Sequence, residues 1–202
     1  MKRNGAMKNK GVVIGVTCLI LVFICVLKFK NSTPPYLRKC QDLREVRSEN
    51  VELKNLIVKL DELPYGWQQG VNFVRTKHNH GEEIVTANYN PPTGLNGFYQ
   101  EVIRYDNGFD ACSFFMRLDL MPSHYWIRDS QYKIEAINHA GQWALGCREE
   151  IYQGQDSCGL LARYKNIIVY IGVTSEKHMT TNEFRKIVEN LDSRACIMDL
   201  CE

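Results

Sequence analysis

The stretch IIVYIGVT, Ile167–Thr174, decides the fold, because it is the most apolar of the segments that read as strands. Its eight residues are too few for a typical helix, and no polar residue alternates with the apolar ones. A strand that is apolar on both sides is typical of the interior of a sheet. We therefore predict that Ile167–Thr174 is the central strand.

Segments on both sides of this strand carry strand or helix patterns. Apolar and polar residues alternate, or apolar runs are bounded by turn residues, at Trp67–Lys77, Glu83–Tyr89, Phe98–Tyr105, Tyr132–Ile137, Gln142–Ile151 and Cys158–Tyr164. One helix is predicted to begin near Gly108, and Thr180 or Thr181 caps a final helix. Short links imply antiparallel strands, with helices covering one face of the sheet. The prediction is an α+β fold, an antiparallel sheet of six to seven strands with helices packed on it.

A charge-free segment precedes this domain. Residues 11–27 are 17 residues without a charged side chain, flanked by lysines on both sides. As a helix they would span about 25 Å, and the lysines can extend toward the interfaces of a bilayer. A cleaved signal peptide is the alternative, but it prefers a shorter apolar core and small residues before the cut. We predict an uncleaved signal anchor, a single-pass transmembrane helix with the C-terminal domain outside the cytoplasm.

The organisation predicted from these patterns has three parts. Residues 1–30 are the tail and the membrane anchor, residues 31–50 are a linker or helical stalk, and residues 51–202 are the extracytoplasmic domain. Apolar residues and one Asn recur at heptad spacing over residues 36–60, which predicts a helix. That helix is either a coiled coil that forms a homodimer or binds an envelope partner, or the first helix of the domain packing on the sheet.

Charge is unevenly distributed, although the formal net charge is only +2. Residues 1–30 hold six of the 25 Lys and Arg residues and no acid, which leaves 19 basic against 23 acidic side chains afterwards. The body of the protein is therefore mildly acidic and offers no basic face to a phosphate backbone. We expect no nucleic-acid partner.

Six of the eight cysteines lie beyond the predicted membrane segment, which is typical of an oxidising compartment. Cys147 and Cys158 flank a short turn between two strands, and we predict a disulfide between them. We also predict that Cys40 pairs with Cys196 or Cys201, because the termini of a domain are commonly close together. Cys112 is then expected to be a buried thiol.

Two groups of residues carry a resemblance. They are Leu63-Pro64-x-Gly66-Trp67 followed by Asp110-Ala111-Cys112-Ser113-Phe114-Phe115, and Gly146-Cys147…Cys158 followed by Ala162–Val169. This pattern resembles uncharacterised membrane-anchored bacterial extracytoplasmic domains, loosely similar to the PsbP/Mog1-type α/β/α fold. The resemblance covers residues 51–194. It implies a fold and an extracytoplasmic location, and it carries over no catalytic residue.

Few residues indicate chemistry. His78 and His80 form a weak candidate metal site, to which Glu82 or Glu83 would add an oxygen ligand. The other histidines, His124, His139 and His178, are expected in solvated loops, and Arg104 and Arg163 are expected to pair with Glu101 or Glu135. An aromatic set is expected either in the core or lining a pocket or partner surface: Tyr89, Phe98, Tyr99, Tyr105, Tyr125, Trp126 and Trp143.

No motif of these residues predicts a catalytic site or a cofactor. The function predicted is a non-catalytic, membrane-anchored extracytoplasmic module that binds a ligand or an envelope protein. The alternative is an extracytoplasmic hydrolase with an unrecognised site, and a concave cluster of titratable residues would favour it.

Overall fold

The computed structural model describes residues 35–70, 74–79, 82–94, 97–119, 137–150, 155–174 and 179–201. The chain divides into two units, Met1–Arg38 and Lys39–Glu202, and the architecture below is that of the second unit. Among the described residues, no helix combines the length and the apolar character needed to span a bilayer. The predicted membrane segment, residues 11–27, lies outside the described residues, so the anchor stays a prediction.

The described strands form one seven-stranded sheet in which all neighbours are antiparallel. Their order is β1-β3-β4-β7-β6-β5, and β2 also pairs with β3. The strands are β1 Gln68–Gln69, β2 Arg75–Asn79, β3 Glu82–Asn90, β4 Phe98–Arg104, β5 Gln142–Glu150, β6 Gln155–Tyr164 and β7 Ile167–Thr174. The central position of β7, between β4 and β6, is confirmed, and so is the α+β class with an antiparallel sheet.

The described residues include two α-helices, α1 at Gly108–Asp119 and α2 at Thr181–Ile197. Thr180 caps α2: its hydroxyl accepts the backbone N–H of Glu183 at 3.3 Å, and the Glu183 carboxylate accepts the N–H of Thr180 at 2.7 Å. This exchange pairs two N–H groups that the start of a helix otherwise leaves open. Of the two caps predicted, Thr180 or Thr181, the structure has Thr180.

The two helices cover opposite faces of the sheet. In β7, Val169 belongs to the same buried cluster as Phe184 of α2, whereas Ile168 belongs to the cluster of Phe115 of α1. Successive residues of a strand point to opposite sides, so the sheet has an α2 face and an α1 face. The prediction that helices cover one face is wrong. A strand as apolar as β7 needs cover on both sides.

The range 36–60 does not form the predicted continuous helix. Its backbone forms short 3₁₀ segments, separated by turns and extended residues, at Pro35–Leu43, Leu53–Leu56 and Leu60–Glu62. The helix predicted there is wrong, whether as a coiled coil or as the first helix of the domain, and a homodimer or envelope-partner contact through residues 36–60 stays a prediction. The heptad pattern reflects burial instead, because Leu53, Leu56 and Ile57 join the core of the α2 face.

A side chain of the sheet pairs with backbone groups near the end of this range. Gln100 of β4 is fully buried on the α2 face; its side-chain oxygen accepts the N–H of Val58 at 2.7 Å, and its side-chain nitrogen donates to the carbonyl of Leu56 at 2.9 Å. Those two backbone groups are therefore paired with the sheet rather than with a helical turn.

A disulfide joins Cys40 to Cys112 of α1, with 5.6 Å between the Cα atoms, and a second joins Cys196 to Cys201. The predicted pairing of Cys40 with Cys196 or Cys201 is wrong, and so is the free thiol at Cys112. The start of the unit packs on α1: the N–H of Gly108 donates to the carbonyl of Val46 at 2.8 Å. That contact places Cys40 beside α1 rather than beside the C-terminus.

Candidate functional site

The candidate metal pair is only partly described. His78 lies in β2 opposite Glu83 of β3, and His80 lies outside the described residues. The Glu83 carboxylate lies 3.1 Å from the Arg104 guanidinium, which engages one of the two acids expected as further ligands. A metal site at His78 and His80 stays a prediction.

The two strand arginines have partners other than Glu101. Arg104 pairs with Glu83, on the side of β4 opposite to Glu101, so the predicted Arg104–Glu101 pair is wrong. Arg163 donates from Nε to the side-chain oxygen of Gln142 at 2.7 Å and also donates to the carbonyl of Lys165 at 2.8 Å. Glu135 lies outside the described residues, so its pairing with either arginine stays a prediction.

The hairpin of β5 and β6 places Cys147 directly opposite Cys158. Cys158 is buried and disulfide-bonded. Facing residues of an antiparallel pair have β-carbons about 4.5–5.5 Å apart, close to the separation that a disulfide requires. The Cys147–Cys158 bond stays a prediction, and the register supports it.

The aromatic set divides into core and surface residues. Tyr89, Phe98 and Tyr105 are buried in the core, as expected if they only pack. Trp143 is 42% exposed in β5, and residues 125 and 126 lie outside the described residues. Tyr99 is different, since it is half-buried on the α1 face next to another tyrosine.

That second tyrosine is Tyr170 of β7, and together with Glu101 it completes what we call the tyrosine–glutamate patch: Tyr99, Glu101 and Tyr170. Glu101 lies directly opposite Tyr170 in the register of β4 and β7, and Tyr99 is two residues before Glu101 on the same face. The ring centroids of the two tyrosines are 6.1 Å apart, with planes tilted by 58°. All three residues are half-buried.

The strand period and the position of α1 create this patch. Phe98, Gln100 and Val102 alternate with Tyr99 and Glu101 and are buried on the α2 face. On the α1 face, the apolar cluster under α1 includes Ile103 of β4 and Ile168 of β7, and Tyr170 packs at its margin. The patch therefore lies beside the area where α1 packs on the sheet.

Burial determines how the patch ionises. It raises the pKa of the Glu101 carboxyl; a hydrogen bond from Tyr99 lowers it in part, and the charge of Glu82 raises it further. Burial, aided by the Glu101 charge, raises the pKa of Tyr99 to about 12 and also raises the pKa of Tyr170. Both phenols are therefore neutral hydrogen-bond donors near neutral pH.

The charge that bears on this carboxyl among the described side chains is the negative charge of Glu82. The ion pairs described there involve Glu49, Glu52, Glu62, Glu83, Glu189 and Asp199. A carboxylate attracts a cation by its charge, and aromatic rings add the attraction of their π-electrons. This half-buried carboxyl beside two tyrosines is therefore the candidate site.

Comparisons with protein-family models, with curated proteins and with solved structures find no match for this chain. The resemblance to PsbP/Mog1-type domains stays a prediction, and the site rests on its own geometry.

The sequence pointed to only part of this site. Tyr99 belonged to the expected aromatic set, but Glu101 was expected only as an arginine partner. The usable signal was the spacing of Tyr99 and Glu101, which places both on one face of a strand. The contribution of Tyr170 depends on the pairing of β4 with β7, whose facing residues Glu101 and Tyr170 are far apart in the chain.

Proposed function

We propose that this protein is a membrane-anchored extracytoplasmic module that binds a cationic group through the tyrosine–glutamate patch and performs no catalysis. The cation is carried by a small ligand or by a Lys or Arg side chain of an envelope protein. The anchor is the charge-free segment of residues 11–27, and the C-terminal domain lies outside the cytoplasm. The disulfides of the described residues support an oxidising compartment.

The observation that carries the proposal is Glu101 itself. Its pKa is raised by burial and by the negative charge of Glu82, while a hydrogen bond from Tyr99 lowers it in part. An acid in such an environment reduces stability when it ionises, and groups of this kind are concentrated at functional sites. A bound cation would supply the missing charge.

The hydrolase alternative gains no support from the patch. The three side chains are one carboxyl and two phenols with raised pKa values. Hydrolysis by a nucleophilic side chain needs a partner base within hydrogen-bond reach, and the patch contains neither serine nor histidine.

Titration of the full-length protein in detergent tests the binding. The probes are tetramethylammonium, as a small cation, and N-acetyl-lysine methylamide, as a peptide side chain. Ring signals of labelled tyrosines report contact in NMR spectra. We expect Glu101→Gln to weaken binding about tenfold, a loss of about 1.4 kcal/mol. Glu49→Gln is the control, because that side chain is 75% exposed, and an equal effect of both variants would reject the patch.

Photo-cross-linking in intact cells separates the two carriers of the cation. A cross-linking residue is placed at Tyr99, and the control places it at Tyr65, which is fully exposed. An envelope partner predicts a covalent adduct from position 99 only, lost when Glu101→Gln is added. Binding of tetramethylammonium without any adduct indicates a small ligand.

The anchor is tested by adding protease to intact cells. We expect digestion of the chain after residue 31 without lysis. Protection of that region until the cells are lysed would show that the domain faces the cytoplasm, and the proposed location would be rejected.

A further inference from the structure

The C-terminal disulfide has a neighbour that the sequence gave no reason to expect. Cys196 and Cys201 are bonded, both are half-buried, and a ring nitrogen of His139 lies within 4.8 Å of both sulfur atoms. His139 is 57 residues before Cys196 and was expected in a solvated loop. The structure brings two redox-capable sulfurs and one imidazole together.

A buried carboxylate fixes the position of the histidine. Asp192, only 2% exposed, accepts the backbone N–H groups of Asn138 at 2.9 Å and of His139 at 3.2 Å, and it accepts the Tyr164 hydroxyl at 2.9 Å. Asp192 lies four residues before Cys196 in α2, about one helical turn. The same helix therefore positions both the histidine and the disulfide.

The turn that carries Cys201 is stabilised independently of the disulfide. The N–H of Asp199 donates to the carbonyl of Cys196 and that of Leu200 to the carbonyl of Ala195, both at 3.0 Å. Leu200 is fully buried in the core. These contacts remain when the S–S bond opens, so reduction is expected to leave the fold intact.

Access separates this disulfide from the other one in the described residues. The bond between Cys40 and Cys112 is buried, whereas Cys196 and Cys201 are both partly accessible. An attacking thiolate must reach a sulfur atom, so the C-terminal bond is the one open to exchange.

An exposed apolar side chain lies beside this bond. Ile197, the residue after Cys196, is 86% exposed, one of five large hydrophobic residues recorded as exposed in the described ranges. A solvent-exposed isoleucine next to an accessible disulfide offers an apolar contact to a protein that reacts with the disulfide.

We propose that Cys196 and Cys201 form a redox-active disulfide that exchanges with an exposed dithiol of another protein, with His139 stabilising the thiolate that leaves and Ile197 contacting the partner. This inference does not depend on the tyrosine–glutamate patch.

The exchange proceeds in two steps. A thiolate of the partner attacks one sulfur of the Cys196–Cys201 bond; a mixed disulfide forms, and the other cysteine leaves as a thiolate with the electron pair of the broken bond. The second thiol of the partner then attacks the mixed disulfide and releases the first cysteine. Two electrons pass to the protein, its cysteines take up the two protons of the dithiol, and the partner leaves as a disulfide.

The position of Cys196 makes the histidine important. Cys196 lies in the last turn of α2, where the helix dipole disfavours an anion. An imidazole N–H nearby can donate a hydrogen bond to a thiolate, and Lys165 is paired with Asp199. The role inferred for His139 is thus to stabilise the negative charge of the sulfur that leaves.

Differential alkylation of the full-length protein tests the access argument. The protein is exposed to reduced thioredoxin or to dithiothreitol, free thiols are alkylated, and mass spectrometry locates them. We expect Cys196 and Cys201 to be labelled at least tenfold faster than Cys40 and Cys112. Simultaneous opening of both bonds, or opening only after unfolding in urea, would overturn the proposal.

Two variants test the roles of the neighbours. Ile197→Ser is expected to slow reduction by thioredoxin about tenfold and to leave reduction by dithiothreitol within twofold; Tyr65→Ser, at another fully exposed site, is the control. His139→Asn is expected to shift the equilibrium with glutathione about tenfold toward the disulfide, at an unchanged melting temperature. A glutathione equilibrium that does not move would reject the role of His139, and equal slowing with both reductants would reject that of Ile197.

Discussion

The two faces of the sheet are covered and stabilised in different ways. On the α2 face, a large apolar cluster joins α2, the 3₁₀ turns and five strands, and the buried Gln100 is paired with Leu56 and Val58. On the α1 face, the cluster under α1 is much smaller, and a disulfide ties α1 to Cys40. The tyrosine–glutamate patch lies on this second face.

The difference shows how stability and function are separated in this domain. Apolar burial, with hydrogen bonds such as those of Gln100, stabilises the α2 face. A small core stabilises less, and a covalent link compensates for it. The α1 face can then carry a half-buried acid whose ionisation reduces stability, because the disulfide and the packing of the opposite face stabilise the domain.

The largest effect is expected from the disulfide of the α1 face. Replacing Cys40 and Cys112 together by Ser removes a link across 72 residues, and the chain-entropy model gives a loss of about 4 kcal/mol. Urea unfolding of the full-length protein measures it. The control replaces Cys196 and Cys201, five residues apart, by Ser; the same model gives a loss of about 2 kcal/mol in the free energy of unfolding. An equal loss in both would mean that the α1 face does not depend on its cross-link.

Asp192→Asn tests the α2 face, and we expect it to lower the free energy of unfolding by about 3 kcal/mol. The carboxylate accepts three hydrogen bonds, one of them from the buried Tyr164 hydroxyl, and an amide cannot accept all three equally well. Asp199→Asn is the matched control, because that side chain is fully exposed and its ion pair with Lys165 contributes little. Thermal unfolding compares them, and similar losses would contradict the assigned role of Asp192.

Gln100→Leu tests the α2 face at strand β4, and we expect it to lower the free energy of unfolding by about 2 kcal/mol. Leucine fits the space but leaves the N–H of Val58 and the carbonyl of Leu56 without their side-chain partners. Gln69→Leu, on the exposed strand β1, is the control with little change. Hydrogen exchange at Val58 gives a local measurement, and protection that survives the substitution would show that the contact is dispensable.

The smallest effect has the opposite sign. Glu101→Gln is expected to stabilise the domain at pH 7 by about 0.5 kcal/mol, the scale of relieving one unfavourable charge. Because burial raises the pKa of Glu101 above its ordinary value of 4.5, the stability of the neutral acid is fully present below pH 4.5 and is lost as the pH rises through the folded pKa. The difference between variant and wild type should therefore vanish below pH 4.5 and grow above it.

Unfolding curves recorded at several pH values measure that difference. Glu49→Gln provides the baseline, since its side chain is largely exposed. A loss of stability in Glu101→Gln at pH 7 would show that Glu101 supports the fold, and the contrast between the two faces would fail.

Local patterns predicted the elements but not how they combine. The range of β7 agrees with Ile167–Thr174, and β4 differs from its prediction by one residue, because strand periodicity is a property of neighbouring residues. The helix predicted over residues 36–60 is wrong, and at its C-terminal end Gln100, more than 40 residues later, pairs with two backbone groups that a helix would use. The same limit applies to the patch, of which the sequence supplied Tyr99 and Glu101 but not Tyr170.

The sequence by itself determined the α+β class, the central strand, a cap at Thr180 or Thr181 and the facing positions of Cys147 and Cys158, since each depends on periodicity or on a short turn. Tertiary structure alone decided that the helices cover opposite faces, that Cys40 bonds to Cys112, and that His139 lies beside Cys196 and Cys201. These contacts join residues far apart in the chain, and their formation depends on how whole elements pack rather than on the preferences of adjacent residues.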